Sequence, residues 1–236
     1  MTETVYLVHS GDKYSWVWPY WYYWWSKYWG NSEYMDTVFV TEEKPIDYPG
    51  IIQVQSGPGP WADQIGRVLK ALKCKYVIYQ HEDYFLEEPT APWLPDIKAL
   101  VSLMNEHDMK LMKCCGMWAG FTDDKAPMYE SGITVNIRGK DEPIWKYPNE
   151  SRYLVSHQTA IWDREFLFST LYTGESPWAH EIVGTHRLRD RKPMVPIYAY
   201  RGKCPIPYGE TVTHGKIRAG CEHWFDEPQK EAENAE

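Results

Sequence analysis

The chain has 236 residues, a net charge of −8 and a hydrophobic share of 43%. This length fits one α/β domain with additions, and the apolar share is large enough to build a hydrophobic core. The acidic balance, without any run of Lys and Arg, excludes duplex nucleic acid as a partner.

The five cysteines are an odd number and include no Cys-x-x-Cys pair. We therefore expect free thiols rather than disulfides or a zinc site, as in a reducing compartment. The first residues lack the basic start and long apolar stretch of a signal peptide. These features predict a cytoplasmic protein.

A very aromatic segment at 16–29 is the one stretch that suggests a membrane. It is too short to span a bilayer and contains Pro19, Ser26 and Lys27. It also lacks the basic polar face of an interfacial helix. We therefore predict a buried helix here and no stable membrane insertion.

Strand-like and helix-like segments alternate along the chain, which predicts an α/β fold with a mostly parallel sheet flanked by helices. The predicted strands are 4–9, 37–41, 51–54, 75–80, 110–115, 154–162 and 193–200, with a hairpin through 132–137. The predicted helices are 16–29, 61–72, 95–107, 164–171 and one that begins at Pro177 after an N-cap at Ser176. Residues 1–226 form the expected single domain, and the acidic residues 227–236 are expected to be a flexible tail.

The most informative motif is Q-H-E-D-Y-F at 80–85, which directly follows a predicted buried strand. Ligands of α/β sheets bind at the carboxyl ends of strands. Adjacent carboxylates at such a position need a cation to neutralise them. Mg²⁺ and Mn²⁺ prefer carboxylates together with substrate phosphates.

This pattern of a strand followed by acidic residues resembles the metal motif of the GT-A glycosyltransferases, with His81 at the first acidic position. The resemblance implies that Asp83 binds Mn²⁺ or Mg²⁺ beside the donor diphosphate and that Glu82 assists in binding the nucleotide. It also implies that His214, in a C-terminal loop, joins Asp83 at the metal.

The end of the first strand, V-H-S-G-D at 8–12, lies where the nucleotide binds in that family. The resemblance implies donor contacts from His9, Ser10, Gly11 and Asp12. Arg67, on the helix before the metal strand, is a further candidate for nucleotide binding. An ion pair between Arg67 and Asp63, four residues apart on one helix face, is the alternative.

A second resemblance lies in H-Q-T-A-I-W-D at 157–163 and in the later G-E-S-P-W-A-H-E at 174–181. In the family the corresponding helix faces the acceptor and supplies the catalytic base. Glu181 is the first candidate for this base and Glu175 the second. Trp178 and Trp162 are candidates for contacts with a carbohydrate or glycan acceptor.

The resemblance implies a metal-dependent enzyme that transfers a sugar from a nucleotide-sugar donor to an acceptor hydroxyl, with inversion by a glutamate base. A non-catalytic carbohydrate-binding protein of similar fold is one alternative. A nucleotidyltransferase or a metal-dependent phosphohydrolase is another, although the Gly-rich run S-G-P-G-P at 56–60 has prolines where a phosphate loop needs amide donors.

Overall fold

The structure, a computed structural model, describes residues 2–29, 34–114 and 128–233. The helices within these residues are α1 (Trp18–Tyr28), α2 (Trp61–Ala71), α3 (Leu94–Glu106), α4 (Arg164–Thr170), α5 (Pro177–Asp190) and α6 (His223–Glu233). The strands are β1 (Thr4–His9), β2 (Asp36–Thr41), β3 (Ile51–Gln55), β4 (Tyr76–His81), β5 (Tyr84–Leu86), β6 (Leu111–Lys113), β7 (Tyr129–Ile137), β8 (Lys140–Lys146), β9 (Ala160–Asp163), β10 (Tyr198–Tyr200), β11 (Tyr208–Glu210), β12 (Val212–Thr213) and β13 (Lys216–Ile217).

Nine of these strands form one mixed sheet in the order β3-β2-β1-β4-β9-β6-β10-β8-β7. The first four are parallel to one another, and β6 is parallel to β10. Strands β9 and β8 run in the opposite direction to their neighbours. The prediction of a mostly parallel sheet flanked by helices is confirmed.

Helices cover both faces of the central strands, and the side chains that alternate along each of these strands enter two separate cores. On β1, Tyr6 and Val8 join a core with α1, α3 and α6, whereas Val5 and Leu7 join a second core with α2, α4 and α5. The helices thus lie in two layers, with α6 and α5 on opposite faces of the sheet.

The aromatic segment forms α1, which packs into the first core as predicted. Trp18, Trp21, Trp24 and Trp25 are all buried, and the Trp24 indole N–H donates to the Trp224 carbonyl oxygen over 2.9 Å. No helix among the described residues is long and apolar enough to cross a membrane.

The structure has strands β5, β11, β12 and β13 that the sequence did not predict, and three predicted segments differ from it. The strand predicted at 154–162 is limited to β9, and the strand predicted at 193–200 is limited to β10. The residues predicted as a flexible tail continue α6 as far as Glu233; residues 234–236 lie outside the described part. This helix is stabilised because Phe225 is buried against the first core and Lys27 pairs with Glu227 and Glu231.

The described cysteines are Cys74, Cys114, Cys204 and Cys221, and no two of these four form a disulfide with each other. The prediction of reduced cysteines agrees with the structure at these positions. Cys115, also the last residue of the strand predicted at 110–115, lies outside the described residues.

Candidate active site

A cleft of about 520 Å³ lies at the carboxyl ends of β1 and β4. These adjacent parallel strands end in register at His9 and His81, so the loops that follow them meet at one edge of the sheet. The start of α2, the start of α5 and the hairpin of β12 and β13 form the other walls. Eight of the predicted site residues line this cleft: His9, Gly11, Glu82, Asp83, Glu175, Trp178, Glu181 and His214.

The acidic pair occupies the turn between β4 and β5, on the floor of the cleft. Glu82 is 6% exposed, and burial raises the pKa of its carboxyl well above the ordinary value, with a further contribution from the charge of Asp83. Burial, followed by the charge of Glu210, raises the pKa of Asp83 to about 7. Both shifts follow from burial first and from the neighbouring carboxylates second.

Glu210 is an acidic residue of the site that sequence reasoning missed. It lies at the end of β11, which pairs with β5 so that Glu210 is opposite Tyr84. Its charge raises the pKa of Asp83 and that of Glu181. Arg218 pairs with its carboxylate over 2.8 Å. No local pattern marks this residue, because only the pairing of β11 with β5 brings it to the cleft.

The donor chemistry of the acidic residues fits a hard divalent cation, since each supplies carboxylate oxygens. Among the described residues, however, no three His, Cys, Asp or Glu side chains converge to hold a metal ion by themselves. His214 lies at the tip of the β12–β13 hairpin and lines the cleft. Its role as a metal ligand stays a prediction.

Glu181 and Glu175 have different environments. Glu181 is half-buried on the second turn of α5, and its carboxylate accepts a 2.7 Å hydrogen bond from the backbone N–H of His157. Burial raises the pKa of Glu181, and this hydrogen bond and the charge of Lys113 oppose the shift. Glu175 instead forms a bidentate ion pair with Arg187, with Nη2–Oε2 at 2.9 Å. Of these two glutamates, Glu181 is thus the one whose carboxylate forms no ion pair within the part of the chain that the structure describes.

The structure assigns supporting roles to three residues that were expected to bind the nucleotide. The Asp12 carboxylate accepts hydrogen bonds from the backbone N–H groups of residues 42–44. Arg67 donates to the carbonyl oxygens of residues 56–58 and does not pair with Asp63. Ser10 is buried, and its hydroxyl accepts from the Trp18 indole over 2.6 Å. None of the three side chains lines the cleft, because the fold uses their polar atoms to hold neighbouring loops.

The expected acceptor contact of Trp162 is wrong. This side chain is fully buried in the second core, on β9 near the middle of the sheet. Both faces of a central strand are covered, so an aromatic residue there packs in the core instead of facing a ligand. Trp178, in contrast, is 61% exposed at the mouth of the cleft.

The sequence analysis did not identify a row of four imidazoles: His9, His81 and His157, which line the cleft, and His180, which is buried beyond His157. The ring centroids of successive members are 6.2, 5.5 and 5.2 Å apart. Burial lowers the pKa of His9 to about 4, that of His81 to about 3 and that of His180 to about 4. Burial, followed by the charge of His180, also lowers the pKa of His157 well below its ordinary value. All four rings are therefore neutral at neutral pH.

Hydrogen bonds determine the tautomers of the last two rings. The Thr170 hydroxyl donates to the Leu167 carbonyl oxygen over 2.7 Å, so it accepts from Nε2 of His180 at 2.9 Å. Nδ1 of His180 then accepts from Nε2 of His157 at 3.3 Å. This arrangement fixes the ring of His157, and the backbone N–H of the same residue holds Glu181.

Two solved structures are similar to the chain in fold. One is CMP:2-keto-3-deoxy-manno-octonic acid synthetase complexed with CTP, with a TM-score of 0.51 and 11% identity over 98% of this chain and 100% of that chain. The other is S. aureus TarS, with a TM-score of 0.50 and 14% identity over 88% of this chain and 36% of that chain. No protein-family model and no curated protein matches the sequence. The similarities show a single α/β domain of the GT-A-like kind shared by nucleotidyltransferases and glycosyltransferases.

Proposed function

We propose that this protein is a metal-dependent glycosyltransferase that moves a sugar from a nucleotide-sugar donor to an acceptor hydroxyl. The charge balance of the cleft is the observation that carries this proposal. Among the described residues that line it, the acidic ones are Glu42, Glu82, Asp83, Glu175, Glu181 and Glu210, whereas Lys13 is the one Lys or Arg. A donor diphosphate needs added positive charge to bind there.

Asp83 is the residue proposed to hold the divalent cation, with Glu210 and Glu82 near it. A bound Mn²⁺ or Mg²⁺ would supply positive charge for the diphosphate and for the leaving group. Oxygen atoms of the donor would complete its coordination, because the described side chains supply too few ligands by themselves. Asp83, Glu82 and Glu210 all line the same cleft, which supports this assignment.

Glu181 is the proposed general base. It takes the proton of the acceptor hydroxyl while the acceptor oxygen attacks the anomeric carbon and the bond from this carbon to the diphosphate breaks. Burial raises the pKa of Glu181, which makes its carboxylate a stronger proton acceptor. Trp178 lies at the mouth of the same cleft, where an aromatic ring suits one face of an acceptor sugar.

A nucleotidyltransferase is the second candidate, because the chain covers the whole length of a synthetase described with CTP. Nucleotidyl transfer would bring a triphosphate into the cleft and release pyrophosphate. This substrate carries more negative charge than a nucleotide-sugar, and Lys13 is the one Lys or Arg among the described lining residues. The cleft therefore favours sugar transfer from a diphosphate donor.

The test is a thermal-shift screen of nucleotide-sugars and nucleoside triphosphates, each with and without Mn²⁺. Binding to the native state raises the Tm by mass action. We expect a nucleotide-sugar to raise the Tm only with Mn²⁺, and Asp83→Asn to remove the rise. Asp226→Asn is the matched control, since Asp226 is exposed on α6 and does not line the cleft. Hits confined to triphosphates, with release of pyrophosphate from the triphosphate when a sugar is added as acceptor, would favour nucleotidyl transfer instead.

A further inference from the structure

The face of α5 that meets the loop before β9 is polar. Glu181, Thr185 and Arg189 are spaced four residues apart, so they lie on successive turns of one side of the helix. The Glu181 carboxylate accepts from the backbone N–H of His157 over 2.7 Å, and the Thr185 hydroxyl accepts from that of Val155 over 3.1 Å. Arg189 donates to carbonyl oxygens at the start of the same loop. Three turns of α5 thus hold this loop along its length.

A second attachment of the loop runs through the ring of His157. This side chain is buried, and its Nε2 lies 3.3 Å from Nδ1 of His180. Nε2 of His180 lies 2.9 Å from the hydroxyl oxygen of Thr170, the last residue of α4. His180 and Thr170 are buried and do not line the cleft. The row Thr170–His180–His157 therefore connects α4 to the loop residue that binds Glu181.

The Thr170 hydroxyl fixes the orientation of both rings. A neutral imidazole has one N–H donor and one acceptor nitrogen, and a buried donor without a partner is destabilising. The Thr170 hydroxyl gives its proton to the Leu167 carbonyl oxygen, so it is an acceptor for His180, and His180 is an acceptor for His157. Loss of this hydroxyl would leave the N–H of His180 unpaired and would free both rings to turn.

The two carboxylate oxygens of Glu181 differ in their partners. Oε1 accepts from the backbone N–H of His157, and Oε2 has no hydrogen bond within the part of the chain that the structure describes. Burial raises the pKa of Glu181, the N–H of His157 and the charge of Lys113 on β6 oppose the shift, and Glu210 on β11 adds to it. One oxygen is thus held, and the other can take a proton from an acceptor hydroxyl.

We propose that Thr170 and His180 are positioning residues for Glu181. They fix the ring of His157, so that the backbone N–H of His157 holds Oε1 of Glu181 and leaves Oε2 for the acceptor hydroxyl. This role rests on the proposed function of Glu181 as the base. It differs from a structural role because loss of the Thr170 hydroxyl should change the properties of the Glu181 carboxylate as well as the stability of the fold.

The test compares Thr170→Val, which removes the hydroxyl and keeps the shape of the side chain, with Thr170→Ser, which keeps the hydroxyl. The sequence has eight histidines, so histidine labelled with a heavy nitrogen isotope gives few amide signals in NMR spectra. The amide signal of His157 should shift as Glu181 titrates, and Glu181→Gln should abolish this shift. In Thr170→Val the midpoint should move to higher pH, because a weaker hydrogen bond to the ionised carboxylate raises its pKa. Thr170→Ala removes the same hydroxyl with less crowding and should move the midpoint in the same direction.

The turnover of sugar transfer should fall about tenfold or more in Thr170→Val, because a misplacement by about 1 Å costs up to roughly 100-fold. The KM for the donor should change little. Thr170→Ser should keep both the titration midpoint and the turnover of the unchanged protein. Thr90→Val is the matched control, since Thr90 is also buried, its hydroxyl donates to the Tyr28 carbonyl oxygen, and it does not line the cleft.

An unchanged midpoint in Thr170→Val and Thr170→Ala would overturn the proposal, and so would equal changes in Thr90→Val. A fall in turnover without a change of midpoint, or without recovery in Thr170→Ser, would show a structural role and overturn it as well. Absence of sugar transfer in the unchanged protein would overturn the proposed function instead. The midpoints would then still show whether Thr170 acts on Glu181, so the two failures are distinguishable.

Discussion

At the scale of single residues, environment separates the two glutamates that the sequence offers as first and second candidates for the catalytic base. Glu175 and Glu181 both lie near the start of α5 and both line the cleft. Glu175 is committed to Arg187, which also donates to the Thr170 carbonyl oxygen. Glu181 accepts one backbone hydrogen bond and has a raised pKa because it is half-buried. A carboxylate without an ion pair and with a raised pKa suits proton transfer, whereas a carboxylate in an ion pair stabilises the fold.

We expect Glu181→Gln to lower the turnover of sugar transfer by roughly 10²–10⁴-fold, because the amide cannot accept the acceptor proton. The affinity for donor and Mn²⁺ should change little. Glu175→Gln, as the matched variant, should lower the Tm because Arg187 loses its partner, while the turnover of the folded protein persists. Steady-state kinetics with calorimetry on both variants make this comparison. Full turnover in Glu181→Gln would remove this residue as the base.

At the scale of elements, the hairpin of β12 and β13 forms a rim of the cleft. Its turn consists of His214 and Gly215, with φ of 49° and 73°. The backbone N–H and hydroxyl of Thr211, just before β12, both donate to the Asp83 carbonyl oxygen at 2.8 and 2.9 Å. The hairpin is thus fixed to the acidic turn. A change in the conformation of the hairpin should therefore change the affinity of the cleft for the donor.

Gly215→Ala should weaken donor binding, because a side chain at a φ of 73° costs roughly 1–2 kcal/mol and shifts the turn. Gly139→Ala is the matched control: its φ is 80°, it lies in the turn between β7 and β8, and an added Cβ there would meet no atom within 4 Å. Both variants should lose similar stability in urea unfolding. Only Gly215→Ala should raise the Kd for the donor, and equal donor affinities would exclude the hairpin from the binding site.

At the scale of the whole molecule, the row of four neutral imidazoles couples stability to pH. Each has a folded pKa below that of the unfolded chain, so acid protonates the unfolded state first. The stability from these residues is present above about pH 6.5 and is lost as the pH falls toward the folded values near 3 and 4. The buried carboxyls act in the opposite direction, because their folded pKa values are raised and their neutral forms persist in acid.

His9 offers the clearest measurement, because it is 5% exposed and its pKa is about 4. Between pH 6.5 and pH 5 its protonation in the unfolded chain should cost the native protein about 2 kcal/mol. Over the same pH range, the unfolding free energy of His9→Asn should therefore fall by about 2 kcal/mol less than that of the unchanged protein. His223→Asn, at an exposed position, should leave the loss unchanged. Urea unfolding at both pH values tests the expectation, and equal losses in all three proteins would contradict it.

The sequence by itself determined the features that depend on neighbouring residues. Local apolar patterns predicted most helices and strands. Ser176 and Pro177 marked the start of α5, where the Ser176 hydroxyl accepts from the Ala179 backbone N–H. The acidic pair was found because a buried strand directly precedes it. Such signals are readable because they arise within one turn of helix or one strand.

Only the tertiary structure decided which polar groups face the cleft. Asp12 and Arg67 bind backbone atoms of other loops, and Trp162 lies in a strand that is covered on both faces. Glu210 reaches the cleft through strand pairing, and the imidazole row assembles from strand ends, a loop and a helix. A residue's partners across the chain determine its exposure and charge state, and no local pattern contains those partners.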